Sequence, residues 1–507
     1  MQTAVFNREI DFERALIEKL TSECGWSSSV LKNKTEKDLI KNWADILFRN
    51  NRAIDRLGDY PLTESEMAQI IEQINTLRTP MKLNNFINGK TVFIKRDNPD
   101  DKLHFGKEVS LKIYNRLEIS GGDSCYQIVE QPAFPTPNPL ASDRRGDLML
   151  LINGMPFIHI ELKKSGVPVS KACEQIKKYA HEGVFAQGLF SLVQVFVAMN
   201  PDETVYFANP GQNGKFKPEF YFHWADFNNE PINDWKHVAK SLLSIPMAHE
   251  LIGFYTVADN TDETLKVMRS YQYYAASEIV KRVAQTQWDD PDNRGGYIYH
   301  TTGSGKTLSS FKAAQIIAES GYADKVVFLM DRIELGVQSL QAYRNFAGDL
   351  VSVQATEDTN VLISRLKSDN RNDSLIVTSH QKMCRIKEEM RNRGRELERI
   401  NSKHLVFIVD EAHRDVFGDM FASIKEAFPK AVRFGFTGTP IMDENLKNNS
   451  ATSDVFGSEL HEYSIADGIR DKNVLGFHAV PVCVYPEKEI RNSMETEHSL
   501  VSDTVCN

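Results

Sequence analysis

The sequence predicts an α/β fold of more than one unit, on three observations. A hairpin signal sits inside a mixed run of strands and helices before about residue 255; short apolar runs alternate with helix-length segments after it; and a glycine-rich loop joins one of those runs to a helix. The 507 residues exceed what one hydrophobic core usually holds, so two or more domains are expected. With 41% hydrophobic and 25% charged residues, a wholly disordered or collagen-like chain is excluded. The formal net charge of −9 means that any contact with nucleic acid must use local basic surfaces.

The six cysteines (Cys24, Cys125, Cys173, Cys384, Cys483, Cys506) are scattered without a C-x-x-C spacing, so structural zinc is not expected. Residues 1–14 are charged and lack an apolar signal core, and the apolar run 192–199 is short and interrupted by Gln194. A cytoplasmic protein with reduced thiols and no membrane segment is expected.

Residues 11–20 place apolar side chains at helical spacing and predict an opening amphipathic helix. A polar, Asn- and Pro-rich stretch at 131–142 precedes two apolar runs, 148–152 and 157–162, separated by Asn153-Gly154, a strong hairpin signal. Strand-like runs at 192–199 and 219–223, with intervening helices, complete a first α/β unit. Further on, the runs 297–300, 326–330, 375–379, 405–410 and 432–436 predict a parallel sheet flanked by helices. No internal repeat or low-complexity segment is present.

Asp147 opens the first hairpin strand, and Glu161-Leu162-Lys163 closes the second. A period of two puts Glu161 and Lys163 on one face with Leu162 turned away. Two carboxylates on one face can bind one or two Mg²⁺ ions, which activate water and stabilise the leaving oxygen of a phosphodiester, while a lysine orients that water. The geometry is demanding. An ideal two-residue turn would set Asp147 opposite Ile160 and send Glu161 to the other face. A three-residue loop over 153–155, or an equivalent bulge, is therefore expected to bring Asp147 opposite Glu161. On the following helix Gln175 and Tyr179, four apart, share a face that can turn toward the cluster.

His300-Thr-Thr302-Gly303-Ser304-Gly305-Lys306-Thr307 follows a predicted strand and opens a predicted helix over 308–320. Glycines at 303 and 305 let the backbone approach phosphate, and the helix N-terminus supplies donors and positive potential. Lys306 would reach the β- and γ-phosphates and Thr307 would place its hydroxyl on Mg²⁺. His300 stands where the simplest form of this loop has a first glycine, but residues 303–307 build the cradle. Downstream, Asp410-Glu411-Ala412-His413 ends an apolar run; Asp410 would hold the Mg²⁺ shell and Glu411 would deprotonate the attacking water.

Residues 303–307, the Asp-Glu-Ala-His box and Phe436-Thr-Gly-Thr-Pro440 resemble motifs I, II and III of superfamily 2 helicases. Arg269-Ser-Tyr-Gln272 resembles the element whose glutamine reads adenine; Asp331-Arg332, and Thr378 with Gln381, resemble further helicase elements. Asp147, Glu161 and Lys163 resemble the PD-(D/E)xK nucleases, Gln175 and Tyr179 the Q-x-x-x-Y element of their restriction branch, and Glu13 a further metal ligand. The combination looks like the restriction subunit of type I restriction-modification enzymes.

That resemblance implies a restriction-endonuclease-like nuclease domain at 1–255, a first RecA-like ATP-binding domain at 256–465, and the start of a second, truncated RecA-like domain at 466–507. It implies ATP and Mg²⁺ as cofactors, and double-stranded DNA together with modification (methyltransferase) and specificity subunits as partners. In the family those subunits recognise the site, using S-adenosylmethionine, the motor pulls DNA in and the nuclease cuts. Only residues 441–507 follow Pro440, and 461–477 reads as the crossing into the second fold, so the motor is expected to be incomplete, with slow ATP hydrolysis and no translocation. Two other readings stay open: a DNA-repair nuclease-helicase without methylation partners, and an inactive truncated remnant that binds DNA.

Overall fold

The structure, a computed structural model, describes residues 5–89, 91–119, 124–135, 144–212, 214–289, 295–330, 341–346, 353–355, 359–389, 394–410, 412, 423–441 and 451–475. The chain opens with α1 (Glu9–Glu23), β1 (Leu31–Lys32), α2 (Glu36–Asn50), α3 (Glu64–Leu77) and α4 (Pro80–Asn88). Their starts are written in the sequence. Thr35 and Thr63 each accept from the backbone three residues on while Asp38 and Glu66 reach back, closing capping boxes, and Thr79 caps α4 ahead of Pro80.

Seven strands and a helix follow: β2 (Thr91–Lys95), β3 (Glu108–Lys112), β4 (Tyr126–Glu130), β5 (Ala133–Phe134), β6 (Arg144–Arg145), β7 (Leu148–Ile152), β8 (Met155–Leu162) and α5 (Ser170–His181). Then come β9 (Val195–Asn200), β10 (Glu203–Ala208), α6 (Trp235–Ser241), α7 (Met247–Gly253), β11 (Thr256–Asp259) and β12 (Thr264–Val267). The first sheet has the order β1-β4-β7-β8-β9-β10. Within it, β8 and β9 run parallel, a pairing that needs a crossover, and α5 is that crossover. Both β7 and β8 are buried at every position, which explains their unbroken apolar character.

The strand expected at 219–223 does not form. Pro218, which has no N–H to give a ladder, starts a 3₁₀ turn at Pro218–Phe220, and among the described residues only one bridge, Tyr206 to Phe222, joins this stretch to the sheet. The run expected at 192–199 divides at Val193, a 3₁₀ turn ending at Leu192 and β9 beginning at Val195.

The second sheet is parallel throughout. After α8 (Ser270–Ala284), the elements are β13 (Gly296–His300), α9 (Lys306–Ser320), β14 (Lys325–Met330), β15 (Val353–Ala355), β16 (Leu375–Ser379), β17 (Leu405–Val409), β18 (Val432–Thr437) and β19 (Glu459–Tyr463), in the order β15-β16-β14-β17-β18-β13-β19. Because the strands point one way, the loops after β13, β17 and β18 all leave from the same edge. The stretch that reads as a crossing from residue 461 begins inside β19, and residues 476–507 lie outside the described part.

The two sheets are joined by a continuous hydrophobic core, in which α4 packs on β11 and β12 and α8 packs on α9. Within this apolar seam lies a polar knot. Arg116 pairs with Glu319 on α9 and donates to Gly253 O at 3.3 Å, while Lys312 on α9 donates to Gln315 Oε1 at 2.9 Å. Asn84, Asn88 and Thr256 line the same small cavity. Burial pushes Lys312 down to about 7, with Arg116 adding repulsion. The unfolded chain thus holds this proton more tightly than the folded one, so stability is full above the ordinary value of 10.5 and is lost as pH falls to about 7. Lys312→Met is expected to raise stability at pH 7 and to flatten the climb in stability toward pH 10 expected in urea melts of the parent chain; an unchanged pH profile would contradict this assignment.

Candidate active site and nucleotide cradle

The geometry of the first site follows from one extra residue. Asn153 and Gly154, with φ of 52° and 83°, form the two-residue turn that the Asn-Gly pair favours. On that turn alone Ile152 faces Met155 and Leu151 faces Pro156, as observed. The ladder then shifts: Leu150 faces Ile158, and Leu148 faces Ile160, leaving Phe157 as the residue of a bulge. Continuing the pairing brings Asp147 alongside Glu161. Of the two devices the sequence allowed, the bulge is the one used.

Asp147 sits at the bend just before β7, and its Oδ2 accepts the Leu162 N–H at 2.6 Å. Glu161 is fully buried near the end of β8, and among the described residues neither carboxylate oxygen has a hydrogen bond. Lys163 Nζ lies 3.6 Å from Glu161 Oε1 and 3.7 Å from Glu9 Oε1 on α1, and donates to Leu162 O at 2.7 Å. Burial, and then the neighbouring Glu161 charge, push Asp147 up to about 8; burial, opposed by Lys163, pushes Glu161 up to about 8 as well. Two carboxyls so placed share one lysine, and both ionise cheaply only with a further cation beside them.

Glu13 on α1 is buried, has Oε1 unpartnered, and meets Gln131 Nε2 at 3.5 Å through Oε2. Burial, and then the charge of Asp147, push it up to about 7. Among the described residues Gln175 and Tyr179 make no hydrogen bond to the carboxylates. Gln175 Nε2 donates to Tyr179 Oη at 2.7 Å, and the Tyr179 hydroxyl donates to Arg145 O at 2.8 Å, two residues before Asp147. The helix thereby holds the backbone that presents Asp147.

Among the described residues no group of three His, Cys, Asp or Glu side chains could cage a metal. The orphaned oxygens of Glu161, beside Asp147 and a lysine, instead suit a hard divalent cation that keeps most of its waters, as Mg²⁺ does. A residue missed in the sequence is His159. It is buried, two positions before Glu161 on the same strand face, with Nε2 3.4 Å from Glu161 Oε2; its spacing was the available signal.

The second site is built at the end of β13. Gly303 and Gly305 have φ of 83° and 82°, and Gly305 immediately precedes Lys306 at the start of α9. The loop is held from behind by α8, where the Tyr271 hydroxyl and Gln272 Nε2 both donate to Ser304 O, at 2.8 and 3.0 Å. Gln272 Oε1 in turn accepts from Arg269 N at 3.0 Å. A methyl added at Gly438, on the loop after β18, would lie 3.4 Å from Lys306 Nζ and 3.3 Å from Thr302 Oγ1, so the ammonium rests against that loop. Thr307 is half-buried on the first turn of α9, and Asp410 is half-buried at the end of β17, its N–H donating to Leu329 O at 3.2 Å.

Beside this loop opens a cavity of about 480 Å³, lined by Gln272, Gly303, Gly305 and Leu308 together with Phe207 and Phe216 from the first half of the chain. Thr378 is buried in β16 and Gln381 is exposed in the helix that follows it. Glu411, His413, Asp331 and Arg332 lie outside the described residues. No described helix is long and apolar enough to cross a membrane.

Two family models match separate parts of the chain. Residues 7–215 match the family model described as type I restriction enzyme R protein N terminus, and residues 271–504 match the SWI2/SNF2 ATPase model. The chain is 33% identical over 478 residues to the type I restriction enzyme SsaAORF53P endonuclease subunit of Staphylococcus saprophyticus, covering 93% of this chain and 47% of that protein. It is 32% identical to the SauMRSORF196P endonuclease subunit of Staphylococcus aureus strain MRSA252, covering 98% of this chain and 50% of that one. The chain therefore spans about half the length of these relatives. A third relative, from Mycoplasma pneumoniae, is the C-terminal part of the MpnIIP endonuclease subunit, itself named as a putative type I restriction enzyme. It is 34% identical over 210 residues, covering 40% of this chain and 99% of that protein. With the bulged carboxylate hairpin in one half and the phosphate-type loop in the other, the chain belongs to the family of type I restriction enzyme endonuclease subunits.

Proposed function

We propose that the chain carries the Mg²⁺-dependent nuclease and the first ATP-binding fold of a type I restriction enzyme, dividing into a nuclease domain at 1–255, an ATP-binding domain at 256–465 and the start of a further fold at 466–507. The observation that carries this reading is the bulge at Phe157, which sets two proton-hungry carboxyls and a lysine together at one end of a buried hairpin. Such an arrangement adds little to the sheet, because two carboxyls and a lysine are desolvated for one backbone N–H taken by Asp147 and one carbonyl met by Lys163, with both Glu161 oxygens left without a hydrogen bond among the described residues.

Asp147 and Glu161 would each offer an oxygen to Mg²⁺. A bound Mg²⁺ supplies a water of lowered pKa and a positive charge for the leaving phosphodiester oxygen. Lys163 would orient the attacking water and offset charge on the phosphate. Glu13, across from Asp147, is a further candidate for the water shell. Tyr179, through the Arg145 carbonyl, fixes where Asp147 enters its strand. Double-stranded DNA is the substrate that this chemistry and the family support, with modification and specificity subunits as partners.

In the second half, the Gly305 N–H and Lys306 would hold the β- and γ-phosphates of ATP, with Thr307 and Asp410 on the Mg²⁺ shell and Glu411 on the attacking water. Among the described residues no carboxylate pairs with Lys306, which leaves its ammonium available to an anion. The cavity beside Gln272 is large enough for a base, and its aromatic lining suits one.

Three outcomes test the reading. The chain is expected to nick plasmid DNA in Mg²⁺ or Mn²⁺, and Asp147→Ala to abolish it; metal-dependent nicking that survives Asp147→Ala would overturn the nuclease assignment. A fluorescent ATP analogue should bind, and Lys306→Ala should weaken it about 10- to 100-fold, the worth of a charge-assisted contact. Gly305→Ala forces a Cβ to within 2.6 Å of Gln272 Nε2 at a φ of 82°, so a loss of about 1–2 kcal/mol in urea melts is expected, with loss of analogue binding.

A further inference from the structure

His159 is fully buried, yet among the described residues neither ring nitrogen closes a hydrogen bond. Leaving a buried polar group unpaired costs about 1–3 kcal/mol, so its retention calls for a reason. Four aromatic rings box the imidazole in, with centroids of Phe134, Tyr179, Phe185 and Phe196 at 5.7, 6.3, 5.4 and 6.2 Å. Gly146 makes room for it, since a methyl there would stand 2.6 Å from His159 Cε1. The Leu148 backbone carbonyl also faces the ring without closing a bond. The side chain that completes the box is Glu161, whose Oε2 is 3.4 Å from His159 Nε2 and itself lacks a hydrogen bond. An ordinary core histidine satisfies at least one nitrogen from the backbone; this one lies beside an unsatisfied carboxylate, within reach of it but not aligned with it.

We propose that His159 is a positioning residue, whose Nε2–H donates to Glu161 Oε2 when the carboxylate carries a divalent cation, so that Oε1 is the oxygen turned toward the cation and Lys163. The inference rests on the reading of Asp147 and Glu161 as a cation site. The aromatic box keeps the ring from rotating away, and a short movement of either side chain turns the 3.4 Å approach into a hydrogen bond. A carboxylate fixed in this way binds metal more tightly than one free to rotate, and loss of such a supporting partner typically costs about 10- to 100-fold in affinity.

The test is Mn²⁺ binding by calorimetry on the whole chain, with thermal melting in metal-free buffer as a check of folding. Asp147→Ala should abolish binding. His159→Phe, which keeps the packing and removes the donor, should weaken binding about 10- to 100-fold, and His159→Gln, which restores an N–H at similar reach, should recover most of it. Wild-type affinity in His159→Phe overturns the proposal, as does equal weakening in both variants when both melt like the parent. If His159→Phe does not fold, ¹⁵N-histidine spectra of the parent decide: addition of Mg²⁺ should move the His159 Nε2 resonance, and its failure to move overturns the proposal. A parent chain that binds no Mn²⁺ sinks the cation site and this inference with it. Binding that is lost in Asp147→Ala and untouched in His159→Phe sinks this inference alone.

Discussion

One inserted residue governs the first half of this protein. Phe157 breaks the pairing of β7 with β8 by a single step, and every side chain beyond it on β8 changes face relative to β7. Without that step Asp147 would face Ile160, and Glu161 would project to the opposite side of the sheet. The turn favours the simple register, since Asn153 and Gly154 fit a two-residue hairpin, so the bulge works against the local preference. It is held in place by burial: all eight positions of β8 are inside the core, and Phe157 itself is fully covered.

The second constraint is the shared core. The helix that carries Lys306 at its start carries Lys312, Gln315 and Glu319 along its length, and Glu319 closes an ion pair with Arg116 from the first half. The cavity beside Gln272 draws its wall from both halves as well, with Phe207 and Phe216 on one side and Leu308 on the other. A helix anchored in this way has one end at the phosphate-type loop and its flank on the neighbouring sheet. This is the arrangement in which packing, rather than a loop, links two sites.

Much of this was legible in the residues. The apolar runs after residue 296 fell on strands β13, β14, β16, β17 and β18 within a residue or two, because parallel strands buried on both faces must read as apolar blocks. Asn153-Gly154 located the hairpin, and the demand that Asp147 meet Glu161 foretold an irregular register. What the sequence could not place was the bulge within β8, since any buried residue from 156 to 160 would read alike. The apparent strand at 219–223 misled because its aromatic residues serve the wall of a cavity instead of a ladder. Gln175 and Tyr179 lay on the expected helix, but Gln175 donates to the Tyr179 hydroxyl and Tyr179 to a backbone carbonyl instead of to the carboxylates, a distinction that periodicity does not carry. The polar knot around Arg116 and Lys312 joins residues some two hundred positions apart and left no local trace.

On the function proposed above, a bulge makes one cation site from Asp147 and Glu161. Crystals of the chain soaked in Mn²⁺ and measured at the manganese absorption edge address it most directly. An anomalous peak in contact with both carboxylates, absent from Asp147→Ala crystals, is the expected result. A fully soaked crystal with no peak between them, or with the two carboxylates on opposite faces of the sheet, would contradict the account.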